Sequence, residues 1–306
     1  YLFIFRLPTI KPIGNIKKLS KESFISINNI FFGTLIFSVM LGVTYPLIYE
    51  FLFNQKISVG APFYNAVFIP IVVLACFFLF FSIDSKWSRN INLKFLSTPI
   101  FLSLLFSSIS VISTAYLFNT NNLAILVSIF AGAIIIYRYI IEVLNYFLNK
   151  KYINPFSVIA HMALGLLLVS ISFNSLLSTE RALNIKINEY EEYKDLKIFF
   201  EDIRVLNNSN NDSIKATFVI ENLDGKKFNL SPEKRKYFTR GQITTETAIH
   251  IMPLKDIYMT IGDQLDDGSW IVNIQINYLI RFIWFSAALM AFAGIMLVFS
   301  NKSKQV

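Results

Sequence analysis

Apolar residues come in long runs near 25–53, 66–83, 95–118, 123–144, 155–177 and 278–300, each closed by a short polar break. At 1.5 Å of rise per residue, about 20 apolar residues cross a hydrocarbon core ~30 Å thick. The pattern therefore predicts about six transmembrane helices. Between 178 and 275 the period changes. The stretches 183–188, 196–206, 214–221, 257–261 and 270–274 are short, partly alternating, and β-branched or aromatic. Asp224-Gly225 and Asp267-Gly268 supply turn signals between them, and an Asn/Ser/Asp turn occupies 207–213. This insert predicts a small all-β domain whose two ends both return to the membrane. No internal repeat or low-complexity linker interrupts the chain.

Composition agrees with that division. Of 306 residues, 54% are hydrophobic and 16% charged, with mean hydropathy +0.53, against roughly 25% charged in soluble domains. Such a chain needs lipid. The opening Tyr1-Leu2-Phe3-Ile4-Phe5 before Arg6 reads as the tail of a helix already in the membrane, so further sequence is expected upstream. One cysteine, Cys76, lies inside an apolar run. A lone cysteine allows no intrachain disulfide, redox pair or cysteine-rich metal site, so any thiol chemistry has to use a partner's thiols.

The net charge of +8 raises the question of an acidic partner. Residues 178–275 carry thirteen Lys and Arg against sixteen Asp and Glu, while the remainder carries fifteen against four. The excess flanks the helices, so it excludes a nucleic-acid reading and leaves anionic lipid as the acidic partner. Arg6, Lys11, Lys17, Lys18 and Lys21, then Lys86, Arg89 and Lys94, then Lys150 and Lys151, then Lys302 and Lys304 fall on one side; the opposite short loops hold only Lys56. Twelve against one predicts a basic, cytoplasmic side and an outward-facing insert. The expected organisation is a cytoplasmic segment 1–24, a five-helix region 25–177, a periplasmic β domain 178–275, a final helix 276–300 and a cytoplasmic tail 301–306.

Candidate chemistry is sparse. Asn154-Pro155 supplies a helix start, which puts His161 about two turns into the fifth apolar run, roughly 9–10 Å below its cytoplasmic end. Gly165, Leu168 and Ser172 follow on the same face, and small residues there would let a flat group approach. Two readings stand open: a histidine bonded to a neighbouring helix with Gly165 serving close packing, and axial ligation of a haem iron by neutral imidazole. His250 reads as a half-exposed surface histidine on a strand. Arg138 and Glu142, one helical turn apart, read as a snorkelling ion pair at the cytoplasmic end of the fourth run. Arg281 and Trp284 read as interfacial anchors, or as a cationic and aromatic wall beside an anionic flat ligand such as haem propionates. No Ser-His-Asp or Cys-His set, glycine-rich phosphate loop or paired-histidine metal spacing can be assembled, so hydrolase and kinase readings fall away and the catalytic residues stay unknown.

Several stretches together resemble one family. Ser20-Lys21-Glu22-Ser23-Phe24 with Asn28-Asn29, Gly42-Val43-Thr44-Tyr45-Pro46-Leu47, and the loop from Lys56 to Asn65 resemble successive segments of the CcmF family. Ala160-His161 through Gly165 is similar to that family's Ala-His-Leu-Gly-Leu helix. Thr245-Glu246-Thr247-Ala248-Ile249, Asp256-Ile257-Tyr258, Asp267-Gly268-Ser269-Trp270 and Arg281-Phe282-Ile283-Trp284 match its closing domain and last helix. Lys21 replaces the usual Arg, and Asn277-Tyr278 stands where the family commonly has Lys-Pro. The order and extent of the matches point to the C-terminal half of the family.

The resemblance implies a haem lyase subunit of cytochrome c maturation in the bacterial inner membrane, with its large loop in the periplasm. Such a subunit receives haem from a haem chaperone and supports its thioether attachment to a Cys-x-x-Cys-His apocytochrome c, alongside thiol-handling maturation subunits. It implies a b-type haem between two intramembrane histidines, with His161 at the position of one of them. It also implies that the family's N-terminal half, which carries the tryptophan-rich segment and the other haem-ligating histidines, must be supplied from elsewhere. The rival readings are a transporter or channel with a polar path through His161, Arg138 and Glu142, and a receptor whose β domain docks partners. Against transport, the helices lack paired Gly/Pro-broken segments.

Overall fold

The computed structural model describes residues 17–89, 97–149, 153–239 and 241–302. Of the basic residues on which the orientation rests, Arg6, Lys11, Lys94, Lys150, Lys151 and Lys304 lie outside these, as do the opening residues 1–5 and the side chain of Lys302. The described residues hold six helices long and apolar enough to cross a membrane. They are α1 (Lys21–Phe53), α2 (Ala61–Ser82), α3 (Thr98–Leu117), α4 (Leu123–Asn149), α5 (Pro155–Leu177) and α6 (Ile280–Lys302). Local chemistry sets their ends. Asn154 Oδ1 accepts hydrogen bonds from the backbone N–H groups of Phe156 and Ser157, and Asn122 Oδ1 does the same for Ala124 and Ile125; each satisfies donors that a helix start leaves unpaired. Pro62 and Pro99 sit in first turns, where no N–H is needed. Asn54 stops α1 in the left-handed conformation, φ 53°.

The chain divides into two compact units. In the helical unit, α1 packs on α2, α3 on α4, and α2 on α4. A buried apolar cluster of Cys76, Phe80, Ile100, Ala131, Ile134, Ile135, Tyr139 and Val158 draws on α2, α3, α4 and α5. The hydroxyls of Ser103, Ser107, Ser110 and Thr114 on α3 donate to carbonyls of their own helix, so none enters the apolar surroundings unpaired.

The described residues of the second unit carry ten strands: β1 (Thr179–Ile185), β2 (Tyr190–Tyr193), β3 (Leu196–Asn207), β4 (Asn211–Asn222), β5 (Lys227–Leu230), β6 (Glu233–Tyr237), β7 (Ile243–Glu246), β8 (Ala248–Ile251), β9 (Lys255–Gln264) and β10 (Trp270–Tyr278). They form an antiparallel sandwich of a four-stranded sheet, β1-β10-β9-β8, and a six-stranded sheet along β2-β3-β4-β6-β7, with β5 paired to β4. Alternation places Ile198, Phe200, Phe218 and Ile220 of one sheet and Ile257, Met259, Ile261, Val272 and Ile274 of the other in one fully buried core. Phe200 and Phe218 are cross-strand partners whose rings stack at 4.4 Å. Gly225 and Gly268 turn at φ 72° and 83°, as the Asp-Gly pairs predict. The first and last strands pair, Thr179 opposite Ile276, and the Asn174 amide donates to the Tyr278 carbonyl.

Candidate functional site

Three consecutive residues of α4, Tyr137-Arg138-Tyr139, make polar side-chain contacts outside their own helix. Two turns of α4 separate Gly132 from Tyr139, which places both on one face toward α5. On α5, Gly165 and His161 are one turn apart and answer them in antiparallel order. A Cβ at Gly165 would sit 2.7 Å from Ile136 Cγ1 and 2.8 Å from the Gly132 carbonyl oxygen, and a Cβ at Gly132 would meet Gly165 and Val169 as closely. The slot expected beside Gly165 for a flat group is therefore filled. Two glycines facing each other let the helix backbones meet, as small residues do in membrane packing.

That close approach brings the next rung within bonding distance. The Tyr139 hydroxyl lies 2.6 Å from His161 Nδ1, the rings stack at 5.2 Å and 28°, and Ser157 Oγ lies 3.3 Å from the same nitrogen. Among the described residues Nε2 has no hydrogen-bond partner. Anchoring one ring nitrogen while leaving the other open is the arrangement of a metal-binding imidazole, whose second nitrogen is commonly fixed by a hydrogen bond. For Nε2 to ligate, Nδ1 must carry the proton and donate it to Tyr139 Oη. The residues present thus fit an axial haem ligand. No cluster of three or more His, Cys, Asp or Glu that could hold another metal occurs among the described residues.

Arg138 is 1% exposed, so it does not snorkel. Its Nη1 donates to Glu142 Oε1, as the helical spacing predicts, and its Nη2 donates to both oxygens of Asp84, just past the end of α2, at 2.8 and 2.9 Å. Its Nε–H is buried with no acceptor among the described residues. Two carboxylates on one guanidinium explain how the charge is tolerated when buried in the protein, since a buried cation needs paired hydrogen bonds. Neither Asp84 nor Tyr139 stands out in the sequence: one reads as a loop acid, the other as one more aromatic in an apolar run.

The remaining candidates lie in the second unit. Arg281 Nε is 3.3 Å from Asp256 Oδ1, an ion pair between the start of α6 and β9. Trp284 is 73% exposed. His250, on β8, is half-buried and stacks flat on Phe228 of β5, with ring centroids 3.6 Å apart and planes 11° apart. Burial lowers its pKa from the usual 6.5, against the field of Asp256.

Residues 176–277 match a family model described as the CcmF C-terminal beta-sandwich. Over 96% of its length the chain is 26% identical to the cytochrome c-type biogenesis protein CcmF of Pseudomonas fluorescens, covering 46% of that protein. Over 99% of its length it is 28% identical to the CcmF of Escherichia coli, covering 47%. Its fold is similar to a solved structure of the cytochrome c haem lyase CcmF, with TM-score 0.72 and 16% identity, across 91% of this chain and 46% of that one. The chain resembles the C-terminal half of the CcmF family and spans about half the length of these curated relatives.

Proposed function

We propose that this chain is the C-terminal part of a cytochrome c haem lyase, and that His161 gives one axial imidazole to a b-type haem held in the membrane. The observation that carries the reading is the His161 ring itself: Nδ1 is anchored by Tyr139 and Ser157, Nε2 is open, and both sit on a membrane-crossing helix. Haem b supplies one-electron redox chemistry. Tyr139 fixes the plane of the imidazole and, by accepting its Nδ1 proton, makes it a more electron-rich ligand. Gly132 and Gly165, facing each other, hold α4 and α5 in the close approach that this bond requires.

In the reaction, each thiol of a Cys-x-x-Cys-His apocytochrome adds its S–H across a haem vinyl group, forming one C–S and one C–H bond with no net oxidation. The chain's lone cysteine is buried in an apolar cluster, which suits a protein that positions reactants and leaves the thiols to its substrate. The second histidine and the site of thioether formation come from the N-terminal half of the same family protein, with haem from a haem chaperone and reduced apocytochrome c from thiol-handling maturation subunits. The setting is the bacterial inner membrane, with the β domain in the periplasm and lipid around the helices. Arg281, paired with Asp256, and the exposed Trp284 are the residues proposed near the anionic edge of a haem.

The test is a reduced-minus-oxidised spectrum of the chain produced together with that N-terminal half. His161→Ala removes the b-type band at matched protein abundance, whereas His250→Ala leaves it unchanged. A band of full height in His161→Ala overturns the assignment.

A further inference from the structure

Three consecutive residues of α4 reach three different neighbours. The Tyr137 hydroxyl is 2.9 Å from Ser110 Oγ of α3. Arg138 grips Asp84 at the end of α2. Tyr139 reaches His161 of α5. Successive residues of a helix point about 100° apart, so the triplet sweeps some 200° of the circumference at a single level. A contact on one bearing fixes the other two. With Arg138 held by Asp84 and Glu142 and Tyr137 held by Ser110, α4 cannot rotate, and Tyr139 is aimed at α5. The arrangement is costly to keep in an apolar unit, because it buries a guanidinium whose Nε–H has no acceptor among the described residues. Hydrophobic packing alone would hold helices together without it.

We propose that Asp84, acting through Arg138, is a positioning residue for the His161 imidazole: the Tyr137-Arg138-Tyr139 collar sets the rotation of α4 and thereby the hydrogen bond that Nδ1–H donates to the Tyr139 hydroxyl oxygen. The proposal rests on His161 being a haem ligand. Asp84 bonds to Arg138 and not to His161; its influence travels through the neighbouring residues Arg138 and Tyr139 of α4.

The readout is the midpoint potential of the b-type haem in the chain assembled with its N-terminal half. Tyr139→Phe keeps the stacked ring and removes the hydroxyl, which makes the imidazole a poorer donor to oxidised iron and raises the potential. Asp84→Asn, nearly isosteric, raises it as well, and Asp84→Glu restores it. The deciding measurement is the double variant. If Asp84 acts through Tyr139, Asp84→Asn adds little further shift in the Tyr139→Phe background. An equal additional shift there, or no shift from Asp84→Asn alone, overturns the proposal. Arg138→Lys, which keeps the charge but loses the two-sided fork, reads the same contact where Asp84→Asn does not accumulate. Failure of the haem reading looks different: the His161→Ala band would persist, whatever Asp84 does.

Discussion

Phe228 and His250 lie face to face at 3.6 Å, one on each sheet of the sandwich, so an aromatic pair closes the gap between strands β5 and β8. Partial burial disfavours the imidazolium there and lowers its pKa below 6.5. Between the depressed value and 6.5 the unfolded chain binds more protons than the folded one, so stability rises with pH in that window and is lost as pH falls through it. Thermal unfolding of the purified chain between about pH 7.5 and about pH 5 shows this as a falling Tm. His250→Phe keeps the stack and flattens that part of the profile; an unchanged slope in the variant would show that other groups carry it.

Enlarging Gly165 should separate α4 from α5. Gly165→Val drives a side chain into Ile136 and the Gly132 carbonyl, an overpacking that costs about 1–3 kcal/mol. It also draws Tyr139 off His161, so haem content falls with stability. Gly294 on α6 has nothing within 4 Å of a Cβ and is the control: Gly294→Ala leaves Tm equal or slightly higher, since Ala is the better helix former.

Cys76 is 2% exposed. It should resist thiol reagents until the protein is denatured, and Cys76→Ser should leave cytochrome c maturation near normal at a stability cost of about 1–2 kcal/mol for the added buried hydroxyl. Loss of maturation at full abundance would place thiol chemistry in this chain.

Ser209 is exposed at the tip of the β3–β4 hairpin. A cysteine placed there, Ser209→Cys in a Cys76→Ser background, should react with a membrane-impermeant thiol reagent in spheroplasts. Reaction only after lysis would reverse the orientation read from the basic loops.

The helices were legible because length and hydropathy suffice to define them, and α5 begins at the Asn-Pro pair and ends where its apolar run ends. Strands β3, β4, β9 and β10 show as β-branched or aromatic stretches because their inward faces build the core. Strand β6, Glu-Lys-Arg-Lys-Tyr, shows no such pattern: its side chains pair with charges rather than with the core, Lys234 with Asp263 and Arg235 with Glu233 and Glu246. At the site, the pairing of Arg138 with Glu142 was local, and helical spacing reveals it. Its burial was not, because Asp84 comes from 54 residues away. The same holds for Gly165, whose partner Gly132 belongs to another helix; a small residue on a helix face looks alike whether it makes room for a ligand or for a backbone.

The pairing of β1 with β10 has a consequence in time. Among the described residues strand β1 has no other strand partner, since it lies at the edge of its sheet. Ribosomes add about 5–20 residues per second, so β1 waits several seconds after emerging before β10 exists to receive it. Through that interval its unpaired edge is open to any extended chain nearby. The sandwich can be completed only once the segment leading into α6 has been made, which ties the closing of the domain to the last crossing of the membrane.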